Sequence, residues 1–466
     1  MSYKVNIGLE VHIELLTSNK MFCMCKSSFG DIENTNVCPI CLGLPGALPV
    51  VNKEAIKLAI KTGLATNCKI DNKVLFDRKT YFYKDLPKGY QITQFYNPIC
   101  KNGYIKLNNK KINIKQIHIE EDAGKISKNN HIDYNRAGIP LLEIVTQPDF
   151  ENDEEVIEFL KLLKELLVFC NISDCKIQEG SMRVDINLSV RKSNEPLGNR
   201  VEIKNVGSFK SIKNAIKYET NRHINLLENG QHINIETRKF SENENKTIFM
   251  RNKEKPEDYC YIKEPDINKI LLSKQFIENI IKNMPILPQE KRNIYTKKYN
   301  LSNNDIDNIL SNPKITNLFE TLVAMTNKPK EIANLISNET FKIIKENNLD
   351  INNIYFNTNN IYSLLNIFLL NKITRETFKN VFYEILINNI NPISFIENNN
   401  LYLIQDENLI ENTIINIIQN NTKSIQDYKN GKEKALKYLI GQCVKAFGGK
   451  CDIKLIEKLL IKYINC

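Results

Sequence analysis

Tryptophan is absent from this sequence, and histidine is scarce, with five in 466 residues. The missing tryptophan goes with many Asn, Ile and Lys residues, the codon bias of an AT-rich genome, and carries no functional weight. Long apolar runs are missing as well. A transmembrane helix needs about 20 consecutive apolar residues. No such run occurs, so a membrane span is not expected. The N-terminus enters a strand within a few residues. It shows neither a signal-peptide apolar core nor an Arg/Ser-rich transit segment, which points to a cytoplasmic protein. No G-x-x-x-x-G-K-S/T is present, which excludes a P-loop phosphate cradle. The protein-kinase motif set and G-x-S-x-G are missing too. Glycine disappears between the segment "NMPILPQEKR" and Gly431.

What remains is a globular composition, 42% hydrophobic, in a chain too long for one core, so two or three domains are expected. The formal charge is +10 with a pI near 8.8, which suits a polyanion such as RNA, although lysine-rich codon bias gives the same balance. Twelve cysteines are unevenly spread. Cys23, Cys25, Cys38 and Cys41 form C-x-C-x12-C-x2-C, and two short turns bearing thiolates are what tetrahedral zinc requires. Four reduced, partly buried thiols are the other reading.

The stretch "KVNIGLEVHIELL" (4–16) alternates strictly. Val5, Ile7, Leu9, Val11, Ile13 and Leu15 make one face, and Glu10, His12 and Glu14 stand on the other. A second strand, "INIKQIHIEED", ends in His118, Glu120, Glu121 and Asp122. Two clusters of imidazole and carboxylate could together hold a divalent cation; two solvated sheet faces would look the same. Segment 77–94 interleaves Arg78, Lys79, Lys84 and Lys88 with Tyr81, Phe82, Tyr83 and Tyr90. That pattern suits phosphate and a base or ribose, or a twisted edge hairpin. Segment 179–191 alternates Met182, Val184, Ile186, Leu188 and Val190 with Arg183, Asp185, Asn187 and Arg191. "RVEIKNVGSFKS" then adds Glu202, Lys204 and Asn205.

Helices are expected after Asn52, after Asp153 and over "SIKNAIKYETNRHINLLENG", the last ending at Gly230. Pro285 and Pro288 mark a boundary, beyond which helix follows helix between Asn-rich turns. The expected fold is therefore α+β over 1–290, with the cysteine insert near 23–41. An all-α domain over 291–405 and a small basic helical tail over 406–466 follow. Residues alone lead to metal-dependent phosphate chemistry, with RNA as a candidate partner.

The ordered strings "IGLEVHIELLT", "VCPICLGLPGALPVVN", "FDRKTYFYKDLPKGYQITQ", "IHIEEDAGK", "NRAGIPLLEIVTQPD", "EGSMRVDINLSVR", "VEIKNVGSF", "ETRKF", "MRNKEKPEDYCYIKEPDI" and "YKNGKEKALKYLIGQ" span nearly the whole chain. They resemble the B subunit of the aspartyl/glutamyl-tRNA(Asn/Gln) amidotransferases. The resemblance implies a cradle-shaped, antiparallel-sheet kinase domain in a heterotrimer whose other members are an amidase and a small third protein. It implies a ligase that forms carbon–nitrogen bonds with glutamine as amido donor. ATP phosphorylates the side-chain carboxylate of Glu-tRNA(Gln) or Asp-tRNA(Asn), and ammonia then attacks. By motif position it implies Mg2+ on Glu10, His12 and Glu121, whereas alternation puts Glu120 beside His118. Lys79, Arg183, Asp185 and Lys204 are expected to share the catalytic work. Arg78, Lys79, Tyr81, Tyr83, Glu120 and Asn205 are expected around the nucleotide. Structural Zn2+ is expected on the four clustered cysteines, and tRNA on Lys432, Lys434, Lys437, Lys445 and Lys450. The sequence departs from the family pattern at Thr80, Lys84, Cys260, Ile262 and Lys263. A non-catalytic tRNA-binding module with a decayed kinase site is the alternative, and it predicts loss of Glu10, His12 and the "EEDAGK" cluster, all of which are present. The archaeal-type relative that acts on Glu-tRNA(Gln) alone is a further one, and the chain leaves no room for the extra domain that such proteins usually carry.

Overall fold

The computed structural model describes residues 3–126, 131–252, 260–404 and 406–465. Residues 253–259, part of the string "MRNKEKPEDYCYIKEPDI", lie outside them. The chain divides into two compact units, Met1–Lys291 and Arg292–Cys466.

The first unit is built on a nine-stranded sheet. Its spatial order is Lys246–Asn252, Glu236–Ser241, Val201–Lys204, Met182–Lys192, Tyr3–Glu14, Pro140–Thr146, Lys111–Glu121, Cys100–Lys106 and Lys69–Ile70. Every pairing is antiparallel except that of Val201–Lys204 with Glu236–Ser241. One face is apolar. Ile7, Leu9, Val11 and Ile13, with Ile117, Ile119, Leu142, Ile144, Met182, Val184, Ile186 and Leu188, are all buried. They share one core with the apolar stripes of helices Lys53–Ala65, Asp153–Phe169 and Phe209–Glu228. At roughly 1.5–3 kcal/mol for each large apolar side chain, this burial fixes which way each strand faces. A slip of one residue would turn the polar set into the core.

The helix starts follow their caps. Asn52 accepts from the amides of Glu54 and Ala55. Asn152, not Asp153, caps the second helix, and Asp153 is its first residue. Ser208 caps the third, which closes at Asn229 with Gly230 at φ +69°. Segment 77–94 forms a hairpin whose first strand is the central one of its sheet. Strands Asp77–Thr80 and Tyr90–Thr93 join Cys260–Lys263 in a separate three-stranded sheet.

From Asn303 onward the described residues contain helices and no strand. The missing glycines are replaced by asparagine. Asn327, Asn348, Asn371, Asn389 and Asn400 all stand at left-handed φ near +50°, the conformation that ends a helix and that Asn tolerates better than other non-glycine residues. Ile410, Ile414, Leu439, Cys443, Ile456, Leu460 and Ile464 form a separate core under helices Glu407–Asn420, Glu433–Ala446 and Ile453–Asn465. No described helix is long and apolar enough to cross a membrane.

Candidate active site

The register that buries the apolar face lines up the polar one. Glu10 stands opposite Asp185, and His12 opposite both Arg183 and Glu143; Glu143 in turn faces His118. Asn187 faces Glu202 in the next strand. Of these, Glu10, His12, Glu143, Arg183, Asp185 and Glu202 floor a cleft of about 350 Å³, walled by Lys79, Tyr81, Phe95 and Tyr261 and reached by Arg200, Lys204 and Arg251.

Two groups of side chains that could hold a metal ion lie on this floor. In the first, His12 Nε2 is 3.6 Å from Glu120 and 4.0 Å from Glu143. His118 Nε2 holds Glu143 at 2.8 Å and lies 3.8 Å from Glu120. Burial works against the His118 imidazolium, but Glu143 and Glu120 outweigh it and raise its pKa to about 10. In the second, Glu10, Asp185 and Glu202 bring one carboxylate oxygen each within 4.8 Å of one another. Their outer partners are Asn187 on Glu10 at 2.9 Å, Lys204 on Asp185 at 2.5 Å and the Thr237 hydroxyl on Glu202 at 2.8 Å. Burial opposes the Lys204 charge, but Asp185 and Glu202 overcome it and raise its pKa. Hard oxygen donors with one imidazole suit a divalent cation, and both groups fit one.

Beside them, buried Asp122 accepts from Arg136 at 2.7 Å and from Arg183 at 2.9 Å. Burial would raise its pKa, but the two guanidinium charges prevail and lower it. Arg183 Nε is buried and has no hydrogen-bond partner among the described residues. Arg136 also lies 3.5 Å from Glu14. Burial and the Asp122 charge push the Glu14 carboxyl up to about 7.

The four cysteines also converge, with one sulfur each inside 4.8 Å. The Cys38 amide points at Cys41 Sγ, 3.2 Å away. A hydrogen bond from Cys23, with help from the Cys38 amide and the Lys20 charge, pulls the Cys41 thiol down to about 5 despite its burial. This donor set fits tetrahedral zinc. The insert is stitched to segment 132–135 by Asn34 donating to the Ile132 carbonyl and Asn135 to the Ile32 carbonyl. That segment leads to Gly138, whose amide donates to the Asp122 carbonyl at 2.9 Å. The cysteine group therefore braces the strand end that carries the cleft's carboxylates.

Comparison with known proteins agrees with this architecture. Residues 5–278 match the model of the GatB/GatE catalytic domain, and residues 317–464 match that of the GatB domain. The chain is 43% identical to the aspartyl/glutamyl-tRNA(Asn/Gln) amidotransferase B subunit of Lachnoclostridium phytofermentans, over 99% of both chains. It is 44% identical to that of Caldicellulosiruptor bescii, over 99% of this chain and 98% of the relative. For that of Finegoldia magna the identity is 41%, over 99% of both chains.

The chain belongs to the GatB family of amidotransferase proteins.

Of the residues expected from the GatB motifs, Glu10, His12, Lys79, Tyr81, Arg183, Asp185 and Lys204 line the cleft, as does Glu120, which alternation placed there. Glu121 does not. Its side chain points to the other side of the sheet, where it pairs with Lys88 and accepts from the Ile92 amide at 3.0 Å. The carboxylates that lie with His12 are Glu120 and Glu143 instead. Arg78 is also turned away, bound to Glu264 at 2.8 and 3.0 Å and to Asp266 at 2.8 Å. Tyr83 lies outside the cleft lining, with its hydroxyl against Arg251. Asn205, at φ +63°, lines a different hollow beside Gly207 and Lys239. Glu143 and Arg200 also line the cleft and are not among the residues that the motifs single out. Glu143 had a signal, as the lone carboxylate in "PLLEIVT". Arg200 had none. Thr80 and Cys260, two departures from the family pattern, are direct cross-strand partners. In the tail, Lys432, Lys434, Lys437 and Lys445 are exposed and Lys450 is half-buried. Lys432 holds Asp427 at 2.8 Å.

Proposed function

We propose that this chain is the kinase and tRNA-binding member of a cytoplasmic tRNA-dependent amidotransferase, working in a heterotrimer with an amidase and a small third protein. A carboxylate oxygen of the glutamyl or aspartyl group on tRNA bonds to the γ-phosphorus of ATP, the β–γ bridging bond breaks, and ADP leaves. Ammonia from the amidase then attacks the acyl carbon, phosphate departs, and the amide remains. The observation that carries the reading is the meeting of two carboxylate-rich ligand groups with Lys79, Arg183, Arg200 and Lys204 in one cleft.

The first step brings an anion to an anion, so positive charge must be placed beforehand. Arg183 is held by Asp122 and Lys204 by Asp185, which fixes both cations without orientation cost during reaction. Mg2+ on His12, Glu120 and Glu143, and a second ion on Glu10, Asp185 and Glu202, would supply charge neutralisation at the phosphates. Tyr81, Phe95 and Tyr261 wall the cleft and limit water at the acyl phosphate. The four cysteines hold structural zinc, and the tail lysines bind tRNA.

The test is phosphate release from ATP by the chain co-expressed with its amidase and small partners, in the presence of Mg2+ and Glu-tRNA(Gln). Release that depends on charged tRNA and collapses in His12→Ala and Glu10→Ala supports the reading. Wild type that binds tRNA yet releases no phosphate overturns it in favour of a non-catalytic binding module.

A further inference from the structure

Lys20 is fully buried, with 0% of its surface exposed. Lysine is almost never so placed unless a carboxylate accompanies it. Here none does. The ammonium has the Tyr134 carbonyl at 3.1 Å and the Cys41 sulfur at 3.8 Å, and no carboxylate ion pair is formed by Lys20 among the described residues.

The surroundings hold the side chain to that spot. The Lys20 amide donates to the Cys25 carbonyl at 2.9 Å, closing the first cysteine turn, and the Met21 amide donates to Gly138 at 2.7 Å. Gly138 has φ +88°, and a Cβ there would stand 3.4 Å from Lys20 Cδ and 3.6 Å from Cys41 Cβ. It is the left-handed φ that calls for glycine here, while the lysine stem and Cys41 pack directly against it.

Four thiolates exceed the charge of one Zn2+ by two. In a buried site that surplus is costly unless a fixed cation stands next to the sulfurs. We propose that Lys20 is the internal counter-cation of the four-cysteine group, a positioning residue that sets how tightly the group retains its metal. The inference rests on reading that group as a zinc site, and it concerns metal retention rather than catalysis.

The test uses full-length wild type, Lys20→Met and Lys20→Arg. Each is loaded with Co2+ to record the thiolate charge-transfer band, then with Zn2+ to follow transfer to a chromophoric chelator. Wild type is expected to show the band. Zinc transfer from Lys20→Met is expected to be about 10- to 100-fold faster, the usual scale for loss of an outer partner of a metal ligand, with Lys20→Arg between the two. Metal-stripped Lys20→Met is expected to melt at or above stripped wild type, because it no longer buries an ammonium, and this separates charge compensation from a general packing role. If Lys20→Met does not fold, Lys20→Gln, which keeps a donor to Tyr134, takes its place in the comparison. Equal transfer rates in wild type and the neutral variant overturn the proposal and leave the zinc reading standing. A wild type with no charge-transfer band overturns the zinc reading itself.

Discussion

Glu120 and Glu121 are neighbours in sequence and stand on opposite faces of the sheet. Glu120 lies 3.6 Å from His12 on the cleft floor, while Glu121 accepts the Ile92 amide and pairs with Lys88 on the far side. Exchanging their roles would require a register change of the whole strand.

The two carboxylates should therefore fail differently. Glu120→Gln and Glu143→Gln are expected to lose one of two Mn2+ sites, followed by the quenching of its free EPR signal, and Glu143→Gln also to lose stability because it leaves the buried His118 without its 2.8 Å partner. Glu121→Gln is expected to keep Mn2+ binding but to lose roughly 3 kcal/mol of stability, since it leaves the buried Lys88 ammonium without its partner. Loss of Mn2+ from Glu121→Gln alone would restore the motif-based ligand.

Glu219 offers a pH test away from the cleft. It is fully buried, accepts from Arg222 at 2.5 and 2.9 Å and from Thr247 at 2.6 Å. Burial raises its pKa, but the His223 imidazole 3.0 Å away, the Arg222 hydrogen bonds and the Arg222 charge win, taking it from the ordinary 4.5 down to about 2. A depressed carboxyl stabilises the fold above its unfolded pKa and stops doing so as pH falls through the folded one. Urea unfolding should show wild type ahead of Glu219→Gln by roughly 3 kcal/mol at pH 7. The gap should hold down to about pH 4.5 and shrink from there towards pH 2. A gap that widens on acidification would refute the assignment.

Gly103 has no room for a methyl group. A Cβ there would sit 2.2 Å from Cys68 Sγ and 2.6 Å from the Thr66 carbonyl oxygen. The carbonyl is backbone and cannot rotate away, so Gly103→Ala should cost about 1–3 kcal/mol. The same substitution at Gly441, where nothing lies within 4 Å, should not destabilise the protein. Thermal melts of the two variants make the comparison.

The tail lysines carry a salt-dependent prediction. Replacing Lys434, Lys437 and Lys445 with alanine should weaken tRNA binding uniformly across tRNA sequences. It should also flatten the slope of log affinity against log salt by on the order of 2 to 3 units if all three meet phosphates. An unchanged slope, measured by filter binding across a salt series, would remove the tail from the tRNA interface.

Local pattern was enough for a good part of this protein. Strict alternation in 4–16 and 182–190 settled which residues are core, because apolar burial acts on every second residue; in 112–122 the alternation changes phase between Ile114 and Ile117, where the pairing register shifts. Motif order gave the family, and cysteine spacing gave the thiol group. What the chain could not state locally was which polar residues meet. Glu143 comes from a strand inserted between those of His12 and His118. Arg78 was drawn off by Glu264 and Asp266, which lie more than 180 residues away in sequence. The Lys20 side chain finds Tyr134 and Cys41 only when the insert folds onto the strand end. Such pairings depend on strand order and chain crossing, and those are properties of the assembled sheet rather than of any single segment.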